Sequence, residues 1–523
     1  MNPRHLPVAV VDAARASACD TAAIDAGIPS RALMQRAGAA AAAEIAHWFG
    51  DRLAHGVLIA TGPGNNGGDG WVVAHALHAV GVRVRVVECA SAMTADARAE
   101  RAQALAAGVE VSARTSDLLA GGESIVVDGL LGTGLSSNGP LRGEIAVAVE
   151  KLQLLGDRGA AVVALDVPTG LAASTGRSAT DLRCARTITF GTIKRGHLVA
   201  RGACGAITVV DIGLGAHVRE ASERMHLVSD AWFAETLPRI EADAHKGARK
   251  KIAIFGGAHG MAGAVVLAAR AALRSGAGLV RCVVAAESLP PIQEAEPAAL
   301  AATWPEDDAG LRAITEWADA ILIGPGLGGG AARELVTRML SAWNGPVVLD
   351  ADALNAFAGD VATLGRLLAG RQALLTPHPA EFGRLTGQDV SEVLDGRFEL
   401  PSTLAAATGA AVLLKGVPTV IAAPSEATRV VAEGTPTLAT GGSGDMLGGI
   451  AVTLLAQTGD AAVAGALAAF AHGRAAAAVG TSQVRGHTLD DVMLALPAVW
   501  STRAALARPP VLVELPAVGE SKR

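Results

Sequence analysis

Short β-branched runs alternate with alanine-rich helical runs along most of this chain, in two series separated by a break. In the first series the strand candidates are Val57–Ala60, Val82–Val87, Ser124–Asp128, Ala161–Asp166, Thr187–Phe190 and Ile207–Asp211. In the second they are Lys251–Phe255, Leu279–Val284, Ala320–Ile323, Val347–Leu349, Ala373–Thr376, Ala411–Leu414, Thr419–Ala423 and Arg429–Val431. A helix between successive strands returns the chain to the same end of the sheet, so each series predicts a parallel α/β sheet with helices on its faces. The last three strands follow one another directly and predict a meander with antiparallel strands at one edge. A helix over Ser30–Phe49, N-capped by Ser30, precedes the first series. Residues 220–251 are charged and less periodic, which places a boundary between domains over 1–218 and 225–507. A length of 523 residues calls for more than one core in any case. The tail from Arg508, with its paired prolines and closing charges, reads as poorly ordered.

Composition narrows the function classes. No uninterrupted apolar run is long enough to span a bilayer, and the first residues lack the apolar stretch of a secretory leader. The net charge of −6 comes without a long basic run, and the chain has no tyrosine, which argues against nucleic acid as a partner. Five scattered cysteines with no CxxC read as reduced thiols of a cytoplasmic protein, neither a disulfide framework nor a zinc site. Large alanine-rich faces point to a homo-oligomer.

The run Gly62-Pro63-Gly64-Asn65-Asn66-Gly67-Gly68-Asp69-Gly70 joins the first strand to the helical segment Trp71–Val80. Glycines there let backbone approach a ligand and aim free N–H groups at an anion. Gly62, Gly64 and Gly67 satisfy G-x-G-x-x-G, with Glu88 ending the next strand, which by itself suggests a dehydrogenase. Asn65, Asn66 and Asp69 lie outside that fingerprint, and no Walker lysine is present. Two further strands end in acids: Asp128, before Gly129-Leu130-Leu131-Gly132-Thr133-Gly134, and Asp166, before Val167-Pro168-Thr169-Gly170. Carboxyl ends of parallel strands share one crevice. Asn66, Asp128 and Thr169 can therefore converge as oxygen donors around a hard cation, leaving Asp166 for acid–base work. The plainer alternative is that these acids cap turns and helices.

GPGNNGGDG, VVDGLLGTGL, LDVPTGL and FGTIKRG, with AIDAGIPSRALMQRAG upstream, resemble the YjeF N-terminal domain, the NAD(P)H-hydrate epimerase. The resemblance covers roughly residues 8–215. It implies a Rossmann-like three-layer sandwich that interconverts the R and S epimers of hydrated NADH and NADPH (NADHX and NADPHX). It further implies that Asn65, Asn66, Gly67, Gly68, Asp69, Gly132, Thr133, Gly134, Leu135, Ser136, Ser137, Asn138 and Asp166 contact substrate. Asn66, Asp128 and Thr169 would hold K⁺. Thr169 stands where the family usually has serine, which preserves the hydroxyl, and Ala172 where an acid or amide often stands.

In the second series, Thr440-Gly441-Gly442-Ser443-Gly444-Asp445-Met446-Leu447-Gly448-Gly449 heads an apolar helical segment. Amides at such a helix N-terminus form an anion hole for a phosphoryl group, and Asp445 is placed to accept a proton from a substrate hydroxyl. Close helix packing and a favourable helix dipole are the structural alternatives. Gly324-Pro325-Gly326-Leu327-Gly328 follows one strand, Thr376-Pro377-His378-Pro379-Ala380-Glu381 another, and Lys415-Gly416 a third. Lys415 can reach nucleotide phosphates. GPGLG, TPHPAE, LLKG and GGSGD, with FGGAHGMAGAVVLAARAALRSGAGLV, resemble the NAD(P)H-hydrate dehydratases of ribokinase-like fold over roughly 225–505. The resemblance implies that Ala264, Gly326, His378 and Asp445 contact the S hydrate. Lys415, Gly416, Val417, Pro418, Thr419 and Gly444 would hold ADP or ATP with Mg²⁺. Met261 stands where tyrosine is frequent, and Ala380 where glycine is.

The sequence thus reads as a bifunctional nicotinamide-cofactor repair enzyme, epimerase then dehydratase, with Asp166 and Asp445 as the catalytic acids. The competing reading is a ribokinase-like small-molecule kinase carrying a non-catalytic ligand-binding N-terminal domain.

Overall fold

The computed structural model describes residues 7–134, 139–215, 217–218, 224–330, 332–480, 485–503 and 508–518. The chain forms two compact units, Met1–Met225 with Leu506–Arg523, and His226–Ala505.

In the first unit β1 (Val10–Val11) leads into α1 (Ala13–Asp25), and α2 (Ser30–Phe49) follows. The sheet strands are β2 (Val57–Thr61), β3 (Val84–Glu88), β4 (Glu110–Ser112), β5 (Ile125–Gly129), β6 (Ala161–Leu165), β7 (Arg186–Phe190) and β9 (Ala206–Val210). A short strand, β8 (Ile193–Lys194), pairs apart from them with β1, which carries α1 toward Lys194. The sheet order is β4-β3-β2-β5-β6-β7-β9, parallel throughout. Both faces are buried. Val57, Ile59 and Val127 point into one apolar cluster with Leu33, Ile45 and Trp71, whereas Leu58, Ala60 and Val126 point into another with Leu152. Alternate residues of one strand thus serve two helix layers, as the expected three-layer α/β sandwich requires. Chain order reverses at β2, which lies between β3 and β5, so a crevice opens at the carboxyl ends of β2 and β5.

Three sequence expectations need correction here. Ser30 is the first helical residue, not the cap: Pro29 occupies the N-cap position and the Ser30 hydroxyl donates to Asp96 at 2.6 Å. The helix after β2, α3, begins at Asn65 and runs to Ala79, so the NNGGD run is its first turn. Beyond Arg508 the tail forms a C-terminal strand, Val511–Leu515, antiparallel to β9. Arg508 fastens it through Glu44, a buried carboxylate, and through Glu514 at 2.9 Å.

The second unit has β10 (Met225–Leu227), β11 (Lys251–Phe255), β12 (Leu279–Val284), β13 (Leu300–Thr303), β14 (Ala320–Ile323), β15 (Val347–Leu349), β16 (Ala373–Leu375), β17 (Ala411–Leu414), β18 (Thr419–Ala422) and β19 (Thr428–Val431). Their order is β10-β19-β18-β17-β16-β15-β14-β11-β12-β13. Strands from β13 to β17 are parallel, and β17-β18-β19 is the expected antiparallel meander. The helices Ala262–Arg274, Ser443–Thr458 and Ala461–Val479 cover one face. Ala461–Val479 is long and apolar enough to cross a membrane, but Leu467 and Phe470 are fully buried in this core.

Two candidate active sites

In the first unit, glycines let the exits of β2 and β5 touch. A Cβ on Gly62 would lie 1.8 Å from the Leu130 carbonyl oxygen, and one on Gly67 would lie 2.1 Å from that of Gly62. This close approach delivers the first turn of α3 to the crevice, with Asn66 and Asp69 buried. Among the described residues neither polar atom of the Asn66 amide has a hydrogen-bond partner. Unpaired buried amides are costly, so this one is set out for a ligand.

Asp128 ends β5 fully buried. Its Oδ2 accepts from Thr169 N–H at 2.8 Å, and its Oδ1 from the Thr169 hydroxyl at 2.7 Å and Leu130 N–H at 3.2 Å. Burial nevertheless pushes this carboxyl up to about 6 against those hydrogen bonds. The Thr169 oxygen also accepts from Leu131 N–H at 3.0 Å and lies 3.2 Å from the Leu131 carbonyl oxygen. A Cβ on Gly132 would stand 3.4 Å from both Asn66 Oδ1 and Asp166 Oδ2. One carboxylate among neutral hard oxygens, with the Asn66 oxygen unpartnered, fits a monovalent hard cation.

Asp166 follows β6 at φ +60°, in the left-handed region that favours glycine. Its Oδ1 receives Lys194 Nζ at 2.5 Å and the Thr189 hydroxyl at 3.0 Å. Burial works to raise this carboxyl, but Lys194, aided by His197 and the Thr189 hydroxyl, outweighs it and holds it below the usual carboxylate range. Asp69 goes the other way: burial, then the charges of Asp166 and Asp20, push it well above that range.

A cavity of about 500 Å³ collects Asn66, Asp69, Asp166 and Lys194, while Asp128 and Thr169 lie outside its lining. Asn65, Asn66, Asp69, Gly132, Thr133, Gly134 and Asp166 line it. Gly67 and Gly68 do not; a Cβ on Gly68 would meet the Met34 side chain at 2.6 Å, so this glycine serves packing of α3 on α2. Leu135, Ser136, Ser137 and Asn138 lie outside the described residues. Sequence reasoning missed Lys194 and Asp20, which also line the cavity. Lys194 sits inside the FGTIKRG run, and an isolated lysine after a strand gives no signal until its partner is known.

In the second unit, Gly442 at φ +92° caps the helix Ser443–Thr458, with Asp445 in its first turn. A Cβ on Gly444 would lie 3.0 Å from Lys415 Nζ and 3.6 Å from Asp350 Oδ2. Lys415 Nζ bonds Asp350 Oδ1 at 2.5 Å, and Asp350 Oδ2 is buried without a partner. Burial first and the Asp350 charge second push Asp445 up to about 7, opposed by Lys415 and assisted by Asp352 and Glu381. Asp350 follows β15 in the run LDADALN and was not singled out from sequence, where it reads as one turn acid among several.

His378 N-caps the helix Pro379–Thr386: its Nδ1 accepts from Ala380 N–H at 3.1 Å and Glu381 N–H at 3.3 Å, and its Nε2 stands 3.3 Å from Glu381 Oε1. Lys415 N–H donates to the Pro377 carbonyl at 2.9 Å, which ties the end of β17 to this loop. Gly416, Val417 and Pro418 form the turn into β18, whose first residue, Thr419, donates its hydroxyl to the Gly416 carbonyl at 2.8 Å. Gly326, at φ +55°, packs on the start of the helix Ala262–Arg274, where a Cβ would stand 2.8 Å from Met261 Cβ and 3.3 Å from Ala264 Cβ. Close packing accounts for part of the glycine run as well: a Cβ on Gly449 would lie 2.1 Å from the Ala268 carbonyl oxygen.

Comparison with known proteins covers both units. A family model described as NAD(P)H-hydrate dehydratase matches residues 252–498, and one described as YjeF-related protein N-terminus matches 30–196. The bifunctional NAD(P)H-hydrate repair enzyme of Salinibacter ruber is 36% identical over 91% of this chain and 93% of its own length. That of Escherichia coli is 34% identical over 86% of this chain and 85% of its own. Among solved structures, an ADP/ATP-dependent NAD(P)H-hydrate dehydratase from Bacillus subtilis, co-crystallized with ATP/Mg²⁺, is 29% identical. It covers 52% of this chain and 96% of its own, with a TM-score of 0.47. With relatives matched over both units and nearly end to end, the chain belongs to the family of bifunctional NAD(P)H-hydrate repair enzymes.

Proposed function

We propose that the chain returns hydrated NADH and NADPH to their active forms, the first unit exchanging the R and S epimers and the second dehydrating the S epimer. Membership of the repair family supports the pair of reactions. The observation that carries the assignment of residues is that each unit holds an acid–lysine ion pair against glycine backbone: Asp166 with Lys194 beside Gly132, and Asp350 with Lys415 beside Gly444, one residue from Asp445.

In the first unit Asp166 is the acid–base group, kept ionised by Lys194, while Asn66 and Asp69 bind the ring substituents. Asp128, Thr169, the Leu131 carbonyl and Asn66 are the donors for K⁺, which supplies a fixed positive charge near the substrate. In the second unit the hydroxyl of the S hydrate gives its proton to Asp445 as its oxygen attacks the terminal phosphorus of ADP or ATP, and the bond to the bridging oxygen breaks to release AMP or ADP. Phosphate then leaves with the electron pair of its C–O bond, which hydroxide does poorly, the N1 lone pair fills the bond to C6, and loss of the C5 proton closes the ring double bond. The amides heading the helix at Ser443 stabilise charge on the transferring group, and Lys415 faces the nucleotide phosphates.

The test mixes the full chain with separated R and S hydrates, Mg²⁺, K⁺ and ADP or ATP, and follows the near-ultraviolet absorbance of the reduced nicotinamide. Recovery from S, and from R faster than without enzyme, is expected. A stable phosphate ester in place of inorganic phosphate would overturn the dehydratase step.

A further inference from the structure

The first cavity contains an acid outside the residues matched by the family model. Asp20 sits on α1, ahead of the matched segment 30–196, and lines the cavity together with Asp69, Asp166 and Lys194. The pairing of β1 with β8 places α1 there, because it sets Val11 beside Lys194 at the start of the helix. Asn66, buried with both amide atoms unpartnered, lines the same cavity and marks it as a ligand site independently of the acids.

Four aspartates line the cavity with one lysine: Asp96 accepts from the Ser30 hydroxyl at 2.6 Å, Lys194 is committed to Asp166 at 2.5 Å, and Asp20 and Asp69 share the space with that pair. A second acid must therefore carry a proton through part of the neutral range. Asp69 is buried, whereas Asp20 is exposed at the residue level while still crowded by the cavity wall. Asp166 is only 13% exposed and holds Lys194, so Asp20 is the acid among Asp20, Asp69 and Asp166 most open to bulk water. Crowding first, then Asp166, pushes its carboxyl up to about 6, with Lys194 opposing. The charged and titratable groups that act on it or share its surroundings are Asp69, Asp96, Asp166 and Lys194, with Arg15 and Cys19 on its own helix.

Resting on the epimerase reading above, we infer that Asp20 is a second acid–base residue of the epimerisation site, passing the reaction's proton between substrate and solvent. Inversion at C6 of the hydrated ring needs two proton transfers. As the C6–O bond breaks, its electron pair leaves with oxygen, which takes a proton and departs as water, and the N1 lone pair fills the bond to C6. Water then adds to C6 from the other face, the pair returns to N1, and the added water loses a proton. The ring ends with unchanged composition. Asp166, held ionised, suits the proton-accepting step, and Asp20 suits the donating one.

The test uses the full chain with purified S hydrate and no nucleotide, following formation of the R epimer by chromatography across a pH series. Asp20→Asn is expected to lower kcat on the order of 100-fold and to abolish the limb of the pH profile near 6. Asp20→Glu is expected to restore most of the rate. Asp25→Asn, on the same helix but not lining the cavity, should match the parent, and nucleotide-dependent dehydration of the S hydrate should be unchanged in all three. Parent-like rate and pH profile in Asp20→Asn would overturn the inference. So would equal losses in the Asn and Glu variants accompanied by earlier unfolding. A parent chain that fails to exchange the epimers at all would instead remove the epimerase reading beneath it.

Discussion

Asp166 and Lys194 form a buried ion pair at 2.5 Å, with the acid at a backbone angle that side chains rarely adopt and the lysine only 3% exposed. Among the described residues Lys194 has no other carboxylate partner; its further contacts there are the Thr189 hydroxyl and two carbonyls. Removing it as Lys194→Met leaves a largely buried carboxylate without its cation and with only the Thr189 hydroxyl as a side-chain donor. We expect a loss of about 3–5 kcal/mol in stability of the first unit, from the usual cost of breaking a buried pair, and a fall in epimerisation on the order of 100-fold. The sign with pH follows from the lowered Asp166 carboxyl. Its stabilising contribution is present above the unfolded value of about 3.9 and is lost as pH falls through the lower folded value. Acid unfolding of the parent should therefore include a component that Lys194→Met lacks; identical acid profiles would contradict the pairing argument.

Asp445 is pushed up to about 7, and the proposed step needs it ionised. Dehydration should accordingly rise with pH through about 7 and level off above. Asp445→Asn should reduce dehydration on the order of 1,000-fold, while R–S exchange stays within about twofold of the parent. A variant that loses both activities while folded would break the assignment of the two reactions to separate units.

Asp350 shapes the same limb. Its carboxylate is the largest charge raising Asp445, so Asp350→Asn should shift the rising limb to lower pH. It also releases Lys415 from its ion pair, which should weaken nucleotide binding by roughly tenfold in KM. An unmoved limb with unchanged KM would show that Asp350 plays no part in either.

The strands of both sheets were legible because nearly all are buried on both faces and read as continuous β-branched runs, such as Ile125-Val126-Val127 and Ala320-Ile321-Leu322-Ile323. Glu110–Ser112, Leu300–Thr303 and Met225–Leu227 escaped because edge strands are short and only partly apolar. Glycine turns and terminal acids pointed to the cavity at the ends of β2 and β6. Partners did not show: Lys194 is joined to Asp166 across 28 positions and Lys415 to Asp350 across 65, and only the folded sheet brings them together. Asp20 was hidden for the same reason, since its place depends on β1 pairing with β8.

The C-terminal strand bears on how the first unit can be isolated. Val511–Leu515 covers the edge of β9, and Arg508 neutralises the buried Glu44. A chain ending at residue 505 exposes an edge strand and strands that carboxylate. We expect its first unit to lose about 1–3 kcal/mol and to aggregate more readily on warming. A fragment spanning 1–218 should show the same defect, and adding residues 506–523 through a linker should correct it. Equal thermal unfolding with and without the strand would refute this.

Potassium dependence provides the last test. The Asp128 carboxyl is pushed up to about 6 by burial, and the Asn66 oxygen is buried with no partner. A cation between them would lower the first and satisfy the second. Epimerisation is therefore expected to rise severalfold when K⁺ replaces a bulky organic cation at constant ionic strength, and the first unit to unfold later. Thr169→Ser keeps the hydroxyl and should retain the response. Thr169→Val removes the hydroxyl that both donates to Asp128 and receives Leu131 N–H, so it should abolish the response and cost about 1–3 kcal/mol in stability. Dehydration by the second unit provides the internal control and should not follow Thr169. If Thr169→Val responds to K⁺ as the parent does, the cation binds elsewhere and these oxygens serve only to hold the turns.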